Sequence, residues 1–569
     1  METNQPGHQS STNPTLLARI GWAVLIIATL YVCYFSHLGA IGFVGPDEPR
    51  YAWIARDMAE TGDWVTPRLY GKPWFEKPPL LYWGAALSFK LFGVSEATAR
   101  LPSAVSALLA TLALAWLSLR LYGAETARWL LLFLPTTVGM IGFSHAAATD
   151  MPFSGMLTIA MVAAAVVVGL GPETNGSVVG DVAAGGALRP SSGRASPSPT
   201  KAWLALVSFG FFLGLAVLAK GPAGIILCGG SIFSWALFTK RWRHAFRLFH
   251  PATIAAFCVT ALPWYILCAR RNPDFFRVFI IEHNFKRYLT PEFQHIQPFW
   301  YYIPILLIAL LPWTLLFLVS VKDETRLWRE GSWLNPSRLF FVCWLIFPLF
   351  FFSLSKSKLP GYILPALPPL GVAVARGISS RVKALGDNRW GAIGSGVTLV
   401  VLGVLFFLQV EWTDLRSVSS VLTATGLTMV LLASLRRSRW ALLLSVVGWT
   451  SAVALTLTGT IGQALDQRLS SRPAITAAPR IWNNYSPEGA SMYKLQRSFQ
   501  YSLNFCFHRE LQEWSTGRAH PGWVFTSGRE GSVLRSLGLD CPLSTLHRAV
   551  VVCEDSGSLS DSRGRGQPQ

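Results

Sequence analysis

Charge is what this chain has least of. Only 14% of its 569 residues are Asp, Glu, Lys or Arg, while 51% are hydrophobic and mean hydropathy is +0.39. Soluble domains carry about 25% charged residues, so an entirely soluble enzyme is excluded. Acids are scarcer than bases, 30 against 49, for a net charge of +19. No basic, aromatic-interleaved soluble module accompanies that excess, which removes nucleic acid as a partner. Lys and Arg concentrated in the inner loops of a membrane protein account for most of it. Cysteine is sparse, with eight residues and no CxxC pair, so a zinc ribbon is unsupported. Cys33, Cys228, Cys258, Cys268 and Cys343 lie in or beside apolar runs and read as small core residues. The apolar runs do not alternate as barrel strands would. The related halves and midplane acids expected of many transporters are missing too.

What the chain does have is apolar runs of helix-crossing length, roughly 20 residues each. The first, IGWAVLIIATLYVCYFS (20–36), has no small-residue cleavage site after it and reads as an uncleaved anchor. Further runs fall near 101–119, 129–147, 151–170, 202–219, 221–239, 252–269, 299–320, 339–354, 361–375, 391–409, 419–434 and 440–462. The expectation is a polytopic α-helical membrane protein with about thirteen transmembrane helices. The shorter run 79–93, interrupted by Lys90, reads as a helix lying on the membrane. The transmembrane unit is expected over 15–462, with outer loops at 37–98 and 271–298. Residues 1–14 and the Gly/Ser/Pro-rich 171–200 read as disordered cytoplasmic segments. A small soluble α/β domain is expected over 463–555, with a disordered tail at 556–569.

The basic loops 240–247, 376–389 and 435–440 assign one side as cytoplasm. With one crossing per span, they share that side with the N-terminus, and the C-terminal domain falls on the other, outer side. Counting from GPDEPRYAW (45–53), the segments WFEKPP (74–79), Asp150, AKGPAG around Lys220, 282–295 and SKSKLP (355–360) also fall on the outer side. Lys77, Lys220, Lys356 and Lys358 therefore sit where the charge rule disfavours lysine. Each alone could be a side chain reaching for the interface. Together with Arg50 they suit a lipid phosphate, for which Lys is a compact point charge. Asp47, Glu48, Glu76 and Asp150 share that face, and carboxylates at a membrane boundary point to function. ATDMP around Asp150 equally fits a helix N-cap. The combination suggests chemistry on a phosphate-linked lipid, with cations steadying the departing phosphate and a carboxylate orienting or deprotonating the attacking group.

GPDEPRYAWIARDMAETGDWVTPRLYGKPWFEKPPLLYW closely resembles the first outer loop of the aminoarabinose lipid A transferases. These belong with the protein O-mannosyltransferase-like GT-C glycosyltransferases. LAVLAKGPAG, FIIEHNFKRYL, QPFWYY, LLPWT and FSLSKSKLPGYILPALPPL resemble the same family in order, over about 15–375. The resemblance implies transfer of a sugar from a polyprenyl-phosphate donor to lipid A or another envelope acceptor, at the periplasmic face of a bacterial inner membrane. By the same resemblance Asp47 and Asp150 are the catalytic acids, with Arg50 beside Asp47. Lys77 resembles the lysine that meets the lipid phosphate and Tyr362 the tyrosine near the lipid cavity, while Lys220, Lys356 and Lys358 join Lys77 as phosphate-binding candidates through their place on the outer face. No cofactor is required. Glu76, His283 and His295 resemble a structural metal site suited to Zn²⁺, although hydrogen-bonded loop histidines fit them as well. An oxidising outer compartment permits a Cys541–Cys553 disulfide. The alternatives are an enzyme that mannosylates proteins and a transporter of polyprenyl-phosphate lipids.

Overall fold

The computed structural model describes residues 16–172, 199–286, 296–320, 335–385, 389–408, 416–482, 485–515, 522–542 and 549–554. Among these, ten helices are long and apolar enough to cross a membrane, or twelve if each of two bent helix pairs counts as one span. The thirteen apolar runs correspond to these twelve and to 221–239. The run 221–239 forms α9 (Ala223–Thr239), only 17 residues long. The run 129–147 is α5 (Ala124–Phe133) and α6 (Val138–Ser144), bent by 62°, and 299–320 is a pair bent by 107°. Hydropathy cannot see such bends, because both arms stay apolar.

After α1 (Leu16–Tyr34) the chain leaves the apolar bundle and builds an outer layer. It contains α2 (Asp47–Thr61), the hairpin β1 (Arg68–Leu69) and β2 (Lys72–Pro73), and α3 (Leu80–Phe92). Asp47 and Glu48 in the first turn of α2 complement its dipole, and Gly62 ends it in the left-handed conformation. The bundle resumes with α4 (Glu96–Tyr122), opened by a Ser95–Thr98 capping box. Next come α7 (Asp150–Val167) and α8 (Pro199–Lys220). Gly155 lets α7 approach the backbone of Ser106 on α4, where an added Cβ would lie 2.8 Å from a carbonyl oxygen. The 18 residues of α7 rise about 27 Å, near the thickness of a hydrocarbon core. Asp150 is at one end. Near the other, Gly169 faces His244 of the basic 240–247 loop.

Glu48 and Arg100 lock the outer layer to the bundle. Arg100 donates to both Glu48 oxygens at 2.9 and 2.8 Å, and to the carbonyls of Leu38, Ile41 and Gly42. Glu48 also accepts the Val44 and Ala147 N–H groups, each at 2.7 Å. Both side chains are buried, and their hydrogen-bonding capacity is used on four chain segments. Beyond the last apolar helix, Asp466 and Arg472 grip the same connector: Asp466 accepts the Gly42 N–H, and Arg472 donates to Gly39 and Ala40 carbonyls.

The C-terminal segment carries helices Gly459–Leu469, Arg472–Ile481, Arg497–Phe507 and Gly528–Ser536. They surround a sheet of β3 (Ala490–Met492), β4 (Trp523–Thr526) and β5 (Val551–Glu554), with β3 parallel and β5 antiparallel to the central β4. Cys541 and Cys553 are disulfide-bonded. The segments 1–14, most of 171–200 and 556–569 lie outside the described residues.

Removing one partner of a buried, fully bonded pair strands the other charge, at a cost of about 3–5 kcal/mol. Glu48→Gln and Arg100→Gln are therefore expected to lower the thermal unfolding midpoint in detergent far more than Asp47→Asn does. Equal midpoints across the three variants would contradict this account.

Candidate active site

Asp47 opens α2, and Arg50 follows one turn later on the same face. Arg50 ion-pairs with Asp47 and, at 3.3 Å, with Glu76, which Lys77 also meets at 3.4 Å. The four side chains form an alternating row: acid, base, acid, base. Arg50, Glu76 and Lys77 are mostly buried, whereas Asp47 is 49% exposed. The acid beside it, Glu48, faces inward to Arg100. Burial alone would hinder ionisation of Arg50, but Glu76, Tyr51 and Asp47 outweigh it and push its pKa up further.

The second group lies where α7 begins and α8 ends. Lys220 Nζ donates to Asp150 Oδ1 at 2.5 Å. It also sits 4.5 Å from the ring centre of Tyr362 and 5.6 Å from that of Phe153. Asp150 starts its helix, but its carboxylate turns to Lys220, so the cap reading gives way to an ion pair. Gly361 leaves room for that carboxylate: an added Cβ would lie 2.5 Å from Asp150 Oδ1 and 3.0 Å from Phe143. Lys358 is buried and donates to the carbonyls of Ser355 and Gln297 at 2.6 and 3.1 Å. Burial and the neighbouring Lys356 lower its pKa. Lys356 itself is exposed.

Two connections join the groups. Glu48, next to Asp47, accepts the N–H of Ala147, three residues before Asp150. Phe75, next to Glu76, shares a buried apolar cluster with Leu218, two residues before Lys220. The residues fall on one face through contact, without any need to count crossings.

The fold and these contacts can be set beside known proteins. The family model of dolichyl-phosphate-mannose-protein mannosyltransferases matches residues 22–279. The undecaprenyl phosphate-alpha-4-amino-4-deoxy-L-arabinose arabinosyl transferase of Enterobacter sp. is 32% identical over 63% of this chain and 61% of its own. This chain thus spans about three fifths of that relative. Arabinosyl transferase 2 of Sodalis glossinidius is 31% identical over 77% of this chain and 72% of its own. The chain belongs to this arabinosyl transferase family. The member from Pectobacterium atrosepticum aligns over 91% of this chain and 93% of its own, at 28% identity. The crystal structure of ArnT from Cupriavidus metallidurans bound to undecaprenyl phosphate superposes with a TM-score of 0.69, covering 97% of this chain and 100% of that one, at 24% identity. This chain shares its GT-C membrane glycosyltransferase fold and is a multi-pass membrane protein.

In this arabinosyl transferase family member, Glu76 and His283 line one cavity of about 460 Å³ with Trp74, Arg271, Asn272 and Arg277. Among the described residues no three His, Cys, Asp or Glu side chains gather as a metal-holding set. Glu76 lies between two cations, a poor setting for a further one, and His295 lies outside the described residues. Of the set Glu76, His283 and His295, the first two line this one cavity. Reading the sequence missed Arg100 and Tyr501. Arg100 had left a signal, a cation in the opening turns of an apolar helix. Tyr501 left none.

Asp63 fastens this outer loop from its other side. Burial raises its pKa, but the Val65 and Thr66 N–H groups, Arg68 and Arg271 outweigh that and hold it below the ordinary carboxylate value. A folded-state pKa below the unfolded one, about 3.9, stabilises the fold above that pH, and the contribution fades as pH falls through the folded value. Asp63→Asn is expected to flatten the fall of the unfolding midpoint between about pH 5 and pH 2. An unchanged slope would show that Asp63 does not fasten the loop.

Proposed function

We propose that this chain transfers a sugar, 4-amino-4-deoxy-L-arabinose, from undecaprenyl phosphate to a lipid A-like acceptor. The observation that carries this reading is the convergence of two acid–base pairs, Asp47–Arg50 and Asp150–Lys220, on one membrane face. The names of the relatives supply the sugar and the carrier. In the reaction an acceptor oxygen forms a bond to the anomeric carbon. The bond from that carbon to the phosphate oxygen breaks, and undecaprenyl phosphate leaves with the electron pair. The leaving group is an anion, so the step needs cations already in place. Lys77, Lys220 and Arg50 supply them, and Tyr362 flanks Lys220. Lys356 is exposed enough to meet a lipid phosphate, whereas Lys358 shapes the loop through its carbonyl contacts.

Asp47 is the most exposed of these acids and so the one open to an incoming acceptor. An acceptor phosphate arrives ionised and needs no base, so Asp47 then orients the amino sugar. A hydroxyl acceptor makes Asp47 the general base. Asp150 holds Lys220. No step uses a metal. The active face is assigned to the periplasm of a bacterial inner membrane. The basic 240–247 loop at the opposite end of α7 marks the cytoplasm, and the Cys541–Cys553 disulfide suits an oxidising compartment. The match to protein mannosyltransferases over 22–279 supports a second reading, transfer of mannose from a polyprenyl phosphate to protein.

The test is purified protein in proteoliposomes with undecaprenyl-phosphate aminoarabinose, offered lipid A or a Ser/Thr-rich peptide. An amino-pentose mass gain on lipid A is expected. Hexose on the peptide from a mannosyl donor would replace this reading with the second, and transfer to neither would end both. Asp47→Asn and Lys220→Met are expected to lower kcat by about 10²–10⁴-fold with the fold intact. Gly361→Ala, which crowds the Asp150 carboxylate, is expected to lower kcat by about tenfold or more. Wild-type turnover in Gly361→Ala would show that Asp150 need not stand where it does.

A further inference from the structure

Arg50 is held by more than carboxylates. Its guanidinium lies 5.8 Å from the ring centre of Tyr51, 5.6 Å from Trp74 and 5.4 Å from Tyr501. Tyr51 is its neighbour on α2 and Trp74 follows β2, so both belong to the outer loop. Tyr501 comes from the C-terminal helix Arg497–Phe507.

That helix is fastened to the outer loop at three points that follow Tyr501. Asn504 Nδ2 donates to Tyr70 Oη at 2.9 Å, and Asn504 Oδ1 is occupied by the Leu511 N–H. Arg56 reaches the Phe505 carbonyl at 3.4 Å, and the Phe505 ring meets Phe43 edge-on at 4.9 Å. His508 Nε2 lies 2.9 Å from Glu60. Tyr70, at the hairpin tip, has φ of 52°, a left-handed conformation uncommon outside glycine. Trp53 and Tyr501 flank its ring at 4.8 and 6.4 Å. The tip is thus held where Tyr501 can lie beside both Tyr70 and Arg50.

Asp47 and Glu76 pair with the two ends of the Arg50 guanidinium, and its Nε–H donates to the Pro46 carbonyl at 3.0 Å, all within its plane, which leaves its faces to the rings. Aromatic rings add attraction for the cation and remove space into which it could swing. We infer that Tyr501 is a positioning residue for Arg50, so that the C-terminal unit completes the active centre instead of being appended to it. This rests on the proposed role of Arg50 at the leaving phosphate. A small misplacement of such a cation costs rate more than ground-state binding.

The experiment uses the full chain carrying Tyr501→Leu, Tyr501→Phe or His508→Gln, and has two readouts. Tyr501→Leu is expected to lower kcat about 5–20-fold with less than about twofold change in the donor KM, and Tyr501→Phe, which keeps the ring face, to stay within about twofold of wild type. Independently of turnover, phenylglyoxal modification of Arg50, followed by peptide mass spectrometry, is expected to speed up about threefold or more in Tyr501→Leu and not in Tyr501→Phe. His508→Gln cuts a fastening point away from Arg50 and is expected to leave that labelling unchanged. Wild-type labelling of Arg50 in Tyr501→Leu overturns the inference, as does equal damage from Leu and Phe. A wild-type protein that transfers no sugar but keeps the labelling pattern supports the positioning role while removing the proposed reaction.

Discussion

The Glu48–Arg100 pair is the constraint on which the rest of the molecule depends. Arg100 lies in the opening turns of a membrane helix, and its charge would be costly there without partners. Glu48 and three carbonyls satisfy it, and through them the connector after α1, the start of α2 and the loop before α7 meet at one point. Asp47 stands one residue from this knot and Asp150 three residues from it. The distance between the two acids of the site is therefore set by a buried ion pair that takes no part in chemistry. Asp466 and Arg472 add a second grip on the same connector.

The site built on this frame is a set of acid–base pairs in which each cation is already oriented. Burial makes Arg50 and Lys220 expensive to leave unpaired, and the pairing carboxylates hold them in place. The same arrangement limits what the residues can do. Lys358 has two donors committed to carbonyls and shapes its loop. Glu76, shared between Arg50 and Lys77, serves cations that are already present.

Much of this was legible in the sequence. Asp47, Arg50, Lys77, Asp150 and Lys220 were named from their place at the ends of apolar runs and Tyr362 from the family resemblance, and contacts bring them together in two groups. The reason is physical: in a chain so poor in charge, a charged residue at a membrane boundary is conspicuous. Less was legible where chemistry looks alike along the chain. Asp47 and Glu48 are adjacent acids, and only packing separates a half-exposed one from one buried against Arg100. The bends at 133–138 and 309–314 leave no trace in hydropathy, so each of those runs reads as one straight span. Tyr501 is one tyrosine among fourteen, and its contact with Arg50 spans most of the chain.

The sequence by itself determined that this is a helical membrane protein, which stretches leave the bilayer, and which charged residues gather at one surface. These are properties of composition and spacing, and the hydrophobic effect reads them locally. Only the tertiary structure decided which acid is buried and which meets solvent, that Asp150 pairs with Lys220 instead of capping its helix, and that a C-terminal helix reaches Arg50. Those outcomes depend on contacts between segments far apart in the chain. Their energies come from mutual burial and hydrogen bonding, which exist only once the segments have met.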